Sequence, residues 1–435
     1  MTRNHAVRLA AAVERLLRAP LPLRLRLWDG SEAGPTGAPV LVIRHRRALR
    51  RLLFRPGELG LARAWVAGEI DVEGDLFEAL DLLAPLVWAG DPAIRRPSLR
   101  EASVRSALAT LVGLAGPLPP PPPPAEEIRH RRGRAHSKSR DRRVIGHHYD
   151  VGNEFHRLLL GPSMVYSCAY WSTPDTGLDR AQHDKLDLVC RKLDLRPGRR
   201  LLDVGCGWGS LALHAARAHG ARVVGVTLSR EQAELAGKRV AEAGLAHRVE
   251  IRLQDYRDVT DGPYDAISSI GMAEHVGTVE YRRYAELLYG LLRPGGRLLN
   301  HQIARRPLAD ESRYRIDRFI DAYVFPDGEL APLGATTGLL EAAGFEVRDV
   351  EALREHYVLT LRAWVRNLEA DRDRAATLTT PGRVRVWHLY TAASALAFAH
   401  DHIGVHQILA TRTPDDGASG LALRPRAWTG DPGRP

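Results

Sequence analysis

The sequence predicts a doubly wound α/β domain over residues 146–435, preceded by a small α+β domain over residues 1–112. Three observations carry this. Apolar strand-like runs alternate with helical patterns beyond residue 200. A glycine-rich loop at 201–210 follows the first of those runs and opens a helix. A Pro-rich and then strongly basic stretch, 113–145, divides the two parts.

The elements follow in chain order. The first twenty residues are amphipathic and broken by Arg and Glu, so they lack the continuous apolar centre of a signal peptide. Leu23, Leu25 and Leu27 alternate with Arg24 and Arg26, the period of a half-buried strand. Asp29-Gly30 marks a turn, and Val40–Arg44 reads as a second strand. Helical patterns occupy 46–54, 59–67 and 76–86, and nothing in them has catalytic spacing. Pro117 and Pro119–Pro124 suit a stiff polyproline spacer. From Arg129 to Arg143 there are eight Lys/Arg. This run suits either a contact with an anionic membrane surface or a merely solvated tether. Beyond it, strands are expected at 200–204, 222–227, 249–253, 266–269 and 297–301. Helices are expected at 210–219, 230–243 and 279–291, the last stopped by Pro294-Gly295-Gly296. Further helices and closing strands are expected between 319 and 411.

Composition narrows the classes. The 435 residues carry 62 basic and 52 acidic side chains, a net charge of +10 that suits an anionic partner or simply reflects an Arg-rich composition. No apolar run approaches the ~18 residues needed to span a bilayer. Cys168, Cys190 and Cys206 are odd in number and unrelated in spacing, which argues against a disulfide framework and against a zinc site. The chain reads as cytoplasmic, with no metal.

In LLDVGCGWGS, Gly205, Gly207 and Gly209 let the backbone turn where side chains would collide with a ligand. The G-x-G-x-G spacing, Asp203 two residues ahead, and Asp255 after the third strand favour S-adenosylmethionine over a nicotinamide dinucleotide. This is a class I S-adenosylmethionine-dependent methyltransferase (Rossmann-like) pattern. The second strand ends in GVTLSREQ, without the usual ribose-binding carboxylate; Thr227 and Gln232 are the polar groups available.

The stretch 147–172, HHYDVGNEFHRLLLGPSMVYSCAYWS, gathers Tyr149, Phe155, Tyr166, Tyr170 and Trp171 just ahead of that loop. Together with LLDVGCGWGS, VTLSREQ, QDYRD, GMAEHVG, HQI, YVFPDGEL and HYVLTLRAW, it resembles the cyclopropane-fatty-acyl-phospholipid synthase and mycolic acid methyltransferase family from about residue 146 to the C-terminus. The N-terminal part resembles the extra domain of the longer cyclopropane synthases. The resemblance implies that Tyr149, Tyr166, Gly205, Thr227, Gln232, Asp255 and Tyr256 contact S-adenosylmethionine. It also implies a bicarbonate held by Cys168, Glu274, His301, Ile303 (through its backbone) and Tyr357, with Cys168, Glu274, His301 and Tyr357 as the catalytic set. Where those members carry an aromatic before the glutamate, this chain has Ala273.

The implied chemistry is one-carbon transfer to the cis double bond of an unsaturated phospholipid acyl chain. A mid-chain cation forms, which Tyr170 and Trp171 faces would stabilise, and a base then removes a proton. Loss from the transferred methyl with ring closure gives a cyclopropane, the expected product; taken otherwise, a branched alkene results, and a mid-chain methylene or methyl branch is the alternative. The expected partner is a membrane phospholipid met at the inner surface through 129–143. A homodimer is left open, as is a reductase if the product is a methylene branch. Nucleic-acid binding by a vestigial cofactor fold, and small-molecule methylation, are the rivals. Each site residue also has a bland reading: Cys168, His301 and Tyr357 as core packing, Glu274 as a helix N-terminal charge. Trp208 and Trp364 are read as packing.

Overall fold

The computed structural model describes residues 4–88, 100–128, 136–138, 140–141 and 152–423. They form two compact units. One joins Met1–Arg129 with Asp317–Val324 and Thr380–Leu396; the other joins His130–Ile316, Phe325–Thr379 and Ala397–Pro435. The first unit thus recruits two segments that sequence position places in the 146–435 domain.

The first unit is built on four short strands: β1 (Arg24–Leu27), β2 (Glu32–Ala33), β3 (Val40–Ile43) and β4 (Ile70–Glu73), in the order β2-β1-β3-β4. The expected alternation is real. Leu23, Leu25 and Leu27 are buried, while Arg24 and Arg26 reach Glu32 across the strand pair. Among the described residues the helices α1 (His5–Leu17), α2 (Arg47–Phe54), α3 (Glu58–Val66), α4 (Leu76–Trp88) and α5 (Ala102–Ala115) accompany the sheet, with two segments from later in the chain. In α1 the Asn4 side chain accepts from Val7 N–H, and Ala6, Leu9 and Ala12 form its buried face.

The proline run is not a free spacer. The Pro122 carbonyl accepts from Arg51 Nη1 at 2.9 Å, and Glu127 takes both Arg63 nitrogens, at 2.6 and 2.7 Å. Glu127 also accepts from the Tyr323 hydroxyl, and Ile128 N–H donates to the Ala322 carbonyl. A long helix whose first part belongs here returns the chain to Trp65: the Trp65 indole donates to the Arg385 carbonyl at 2.9 Å.

The second unit carries a seven-stranded sheet. Its strands are β5 (Arg200–Val204), β6 (Arg222–Thr227), β7 (Val249–Leu253), β8 (Tyr264–Ile270), β9 (Leu292–Arg305), β10 (Glu346–Ala352) and β11 (Ile403–Thr411). The order is β10-β11-β9-β8-β5-β6-β7, with β11 antiparallel to both neighbours and β5 through β9 parallel. From β5 the chain moves outward to β6 and β7 and then crosses back to β8. The switch point therefore lies between β5 and β8, where ligands of such sheets bind.

Helices α6 (Asn153–Leu160), α7 (Leu178–Lys192), α8 (Ser210–His219), α9 (Arg230–Glu242), α10 (Ala273–Val276), α11 (Tyr281–Leu291), α12 (Arg318–Tyr323), α13 (Leu333–Ala342), α14 (Arg354–Ala370), α15 (Arg372–Leu378) and α16 (Pro381–Ala399) complete the described elements. Of these, α12 and most of α16 belong to the first unit. Residues of α7, α8 and α9 share one core cluster with the sheet; α11 and α13 share another.

One detail differs from the sequence reading. Pro294-Gly295-Gly296 does not simply end a helix but lies at the start of β9, where pairing with β8 shifts register between Tyr264 and Ala266. Proline lacks an amide donor, so the ladder yields at that point.

Candidate cofactor cavity and catalytic cluster

The glycine loop turns at the end of β5. Gly205 (φ 75°), Gly207 (φ 53°) and Gly209 (φ 77°) all occupy the left-handed region. At Gly205 a Cβ would also press on the Met272 thioether, whose flexible side chain would have to move. Gly205 and Cys206 N–H both donate to the Val226 carbonyl, tying the loop to β6.

The loop forms one wall of a cavity with about 950 Å³ of open space, its mouth included. Asp203, Gly205, Gly207, Thr227, Gln232, Tyr166 and Tyr256 all line it, so tertiary structure assembles seven of the nine expected cofactor residues. Tyr149 lies outside the described residues. Asp255 is buried but does not line the cavity. Its oxygens accept from the Arg257 guanidinium at 2.7 and 2.8 Å and from the Arg257 backbone at 3.0 Å. Despite the burial that opposes it, those bonds hold the Asp255 carboxyl below its ordinary range.

The donor set fits S-adenosylmethionine. Asp203 Oδ2 is shielded and lacks a hydrogen-bond partner, while Oδ1 accepts from the Ser268 hydroxyl at 2.8 Å. A spare carboxylate oxygen there suits an ammonium group. Burial raises the Asp203 carboxyl to about 6. Thr227 Oγ1 donates to Gln232 Oε1 at 2.8 Å, leaving the Gln232 amide hydrogens for a sugar hydroxyl. A Cβ on Gly207 would meet nothing within 4 Å, so the backbone there is open to close approach by a ligand.

Residues ahead of the loop are drawn onto it. Trp208, read from sequence as packing, lines the cavity; its indole donates to Asn153 Oδ1 at 2.7 Å. Ser210 Oγ donates to the Ser163 carbonyl at 2.6 Å. Lys185 went unnoticed in the sequence. It is 1 % exposed, lines the same cavity and donates to Ser167 Oγ at 2.9 Å. Burial lowers its ammonium to about 8, while Cys168 and Asp203 pull in the opposite direction. A lysine in an amphipathic helix ordinarily snorkels to water, so its spacing carried no signal of burial.

The catalytic candidates do not line the cavity itself. Glu274 opens α10, and its Oε1 accepts the Ile303 N–H at 2.8 Å, so that backbone group is already committed to the glutamate. Glu274 Oε2 is shielded and has no partner, and burial raises the carboxyl to about 7. His301 sits on β9, 2 % exposed, with neither ring nitrogen hydrogen-bonded. Burial and then the charges of Lys185 and Lys192 hold it well below its usual value, hence neutral. Its neighbour Gln302 is fully engaged, and Asn300 uses its amide nitrogen. Gln302 accepts from Tyr281 and Asn300 and donates to Thr336. The period of two along the strand turns His301 to the opposite face.

Cys168 is fully buried, its thiol donating to the Ala169 carbonyl at 3.2 Å. Burial pushes the thiol up, so it stays protonated. Tyr357 is buried in α14 against Trp364 and Phe398. Trp364 also meets Tyr166, giving a continuous aromatic path from cavity to Tyr357.

Two rings expected to face a cation are placed otherwise. Tyr170 stacks on His356 at 4.9 Å, and Trp171 donates to Thr360 Oγ1 at 3.0 Å within a small cluster with Ala169, Ala181 and Ala363. Neither lines the cavity. Both are taken up by packing on α14.

The fold and this cavity define an S-adenosylmethionine-dependent transferase. The family model described as mycolic acid cyclopropane synthetase matches residues 136–408, and the chain belongs to that family. It is 43% identical over 413 residues to a probable fatty acid methyltransferase of Mycobacterium tuberculosis, covering 93% of this chain and 94% of the relative. It is 38% identical over 281 residues to the cyclopropane-fatty-acyl-phospholipid synthase of Escherichia coli, covering 65% and 71%. Among solved structures, a mycolic acid cyclopropane synthase complexed with SAH and CTAB aligns with a TM-score of 0.59 at 33% identity, covering 62% of this chain and 98% of that one.

Proposed function

We propose that the protein adds a one-carbon unit to a cis double bond in the acyl chain of a membrane phospholipid, leaving a mid-chain methylene branch that a separate reductase would convert to a methyl branch. Ring closure to a cyclopropane is the second reading. The observation that carries the reaction is that Glu274 and His301 both keep shielded polar atoms without partners, Glu274 next but one to Met272 of the cofactor cavity. The near full-length likeness to a fatty acid methyltransferase favours the branch. The likeness to the cyclopropane synthase keeps the ring in play.

S-adenosylmethionine, when bound, supplies an electrophilic methyl carbon. The chain's task is to hold a poor nucleophile against it, exclude water and move one proton. Cys168 is a protonated, buried thiol, so it donates a hydrogen bond and does not attack. Glu274, with its carboxyl near 7, takes or releases a proton at Oε2 around neutral pH. Neutral His301 offers an acceptor nitrogen.

These groups suit a bicarbonate: a thiol donor, a carboxyl that is partly protonated, an imidazole and the Tyr357 hydroxyl, with Lys185 supplying positive charge. The Ile303 N–H would act through Glu274, which it orients. Ring closure and an exomethylene both take the proton from the transferred methyl, the latter after a hydride shift moves the cation to the methylated carbon, so geometry around Ala273 and Glu274 that permits or prevents that shift selects the product.

Among the described residues no helix is long and apolar enough to cross a membrane. Peripheral contact through the basic run 129–143 is part of the proposal. Two of its cations are already ion-paired, Lys138 with Asp258 and Arg140 with Asp327.

The deciding experiment expresses the protein in a bacterial host lacking such an enzyme and analyses its fatty acids by mass spectrometry and proton NMR. A one-carbon gain with exomethylene or branch-methyl signals supports the first reading. Upfield ring signals support the second. Unchanged lipids alongside a methylated small molecule would overturn both.

A further inference from the structure

We propose that Asp187, Cys190, His214 and His219 bind one divalent transition metal of the zinc class, which staples α7 to α8. Asp187 and Cys190 lie one turn apart on α7; His214 and His219 lie on α8, the latter as its last residue. Cys190 Sγ and one ring nitrogen of each histidine all fall within 4.8 Å of one another. Asp187 Oδ1 is 3.0 Å from His219 Nε2 and 3.6 Å from His214 Nε2. Tetrahedral zinc, with bonds of about 2.0–2.3 Å, sets its donors roughly 3.3–3.8 Å apart. Cys190 and the two histidines are thus within about an ångström of that spacing, and Asp187 Oδ1 lies against both histidines.

The strongest pointer is His214. Its side chain is only 10% exposed, and its shielded Nε2 has no hydrogen-bond partner. Burial, with the neighbouring His183 ring, keeps it neutral, so its lone pair is available. His183 stands edge-on at 4.9 Å. Cys190 is buried and its thiol is pushed up, so a free Cys190 stays protonated. A metal would displace that one proton to solvent and leave a thiolate ligand. The second Asp187 oxygen lies 2.9 Å from Arg191 Nε, and Oδ1, hydrogen-bonded to His219 Nε2, would exchange that bond for the ion.

Thiolate and imidazole donors select zinc-like ions over magnesium or calcium. Four protein ligands leave no open position, so the role is structural. Both helices wall the cofactor cavity, through Lys185 and Leu186 on α7 and Ser210 and Leu211 on α8. The site is independent of the reaction proposed above.

The test titrates the full chain, freed of metal by a chelator, with Co²⁺ followed by Zn²⁺. Expected are an intense thiolate-to-cobalt absorption and tetrahedral visible bands saturating at one equivalent, both bleached by Zn²⁺. Cys190→Ser should abolish the thiolate band and Cys206→Ser should retain it. His214→Ala should weaken binding by at least the roughly 10–100-fold that losing even an outer partner costs. Absence of the band in the wild-type protein, which needs no variant to fold, overturns the proposal. So does a band that survives Cys190→Ser.

Discussion

The Ile303 backbone N–H donates to Glu274 Oε1 at 2.8 Å, which fixes the carboxyl while its Oε2 stays shielded and unpartnered. One oxygen anchors and the other is available for proton chemistry. Glu274→Gln keeps the shape and removes the acid. We predict nearly unchanged S-adenosylmethionine affinity by calorimetry and turnover lower by about 10²–10⁴.

The same residue predicts a stability trend. The folded Glu274 value of about 7 lies above the ordinary 4.5, so between those values the folded chain holds a proton that the unfolded chain has lost. This contribution is full below about 4.5 and is lost as pH rises through 7. Glu274→Gln should flatten the fall in Tm across that window. Parallel wild-type and variant melting curves would refute it.

Lys185 has the opposite sign. Its folded value of about 8 lies below the usual 10.5, so between them the unfolded chain holds the extra proton and stability rises with pH. Lys185→Met should lose that rise. Urea midpoints of both proteins from pH 8 to 10 give the difference curve.

Gly205→Ala places a Cβ against Met272 Sδ in a residue with φ of 75°. The left-handed backbone opposes it, and Met272 must shift to make room. Cofactor binding should fall by an order of magnitude or more, whereas Gly237→Ala on α9, where a Cβ meets nothing within 4 Å, should bind normally.

Arg51 and Glu69 form a paired contact in the first unit, with bonds of 2.8 and 3.0 Å and both side chains under a tenth exposed. Arg51→Met strands a buried carboxylate, at a cost of about 3–5 kcal/mol. Adding Glu69→Leu should recover much of the lost Tm. No recovery would mean that Arg51 acts mainly through the Pro122 carbonyl.

Much of the second unit was legible. β5, β6 and β7 fall at the expected residues because each is a short apolar run between turn signals, and α8 begins where the glycine loop ends. That Asp203, Gly205, Gly207 and Thr227 would line one cavity was legible because the loop and strand ends fix them locally. The first unit was less so. Recruitment of α12 and of Arg385 on α16 depends on contacts hundreds of residues apart, such as Trp65 with Arg385, which no local pattern encodes.

By itself the sequence determined the fold class, the family and the cofactor loop, because strand periodicity and glycine conformational demands are local properties. Only tertiary structure decided how single residues are used. It turned Tyr170 and Trp171 into packing, engaged Asp255 with Arg257, and buried Lys185 beside Asp203. It also brought Cys190, whose spacing argued against zinc, to two histidines of another helix. Burial and cross-element distance set charge state and partnership, and neither is a function of position along the chain.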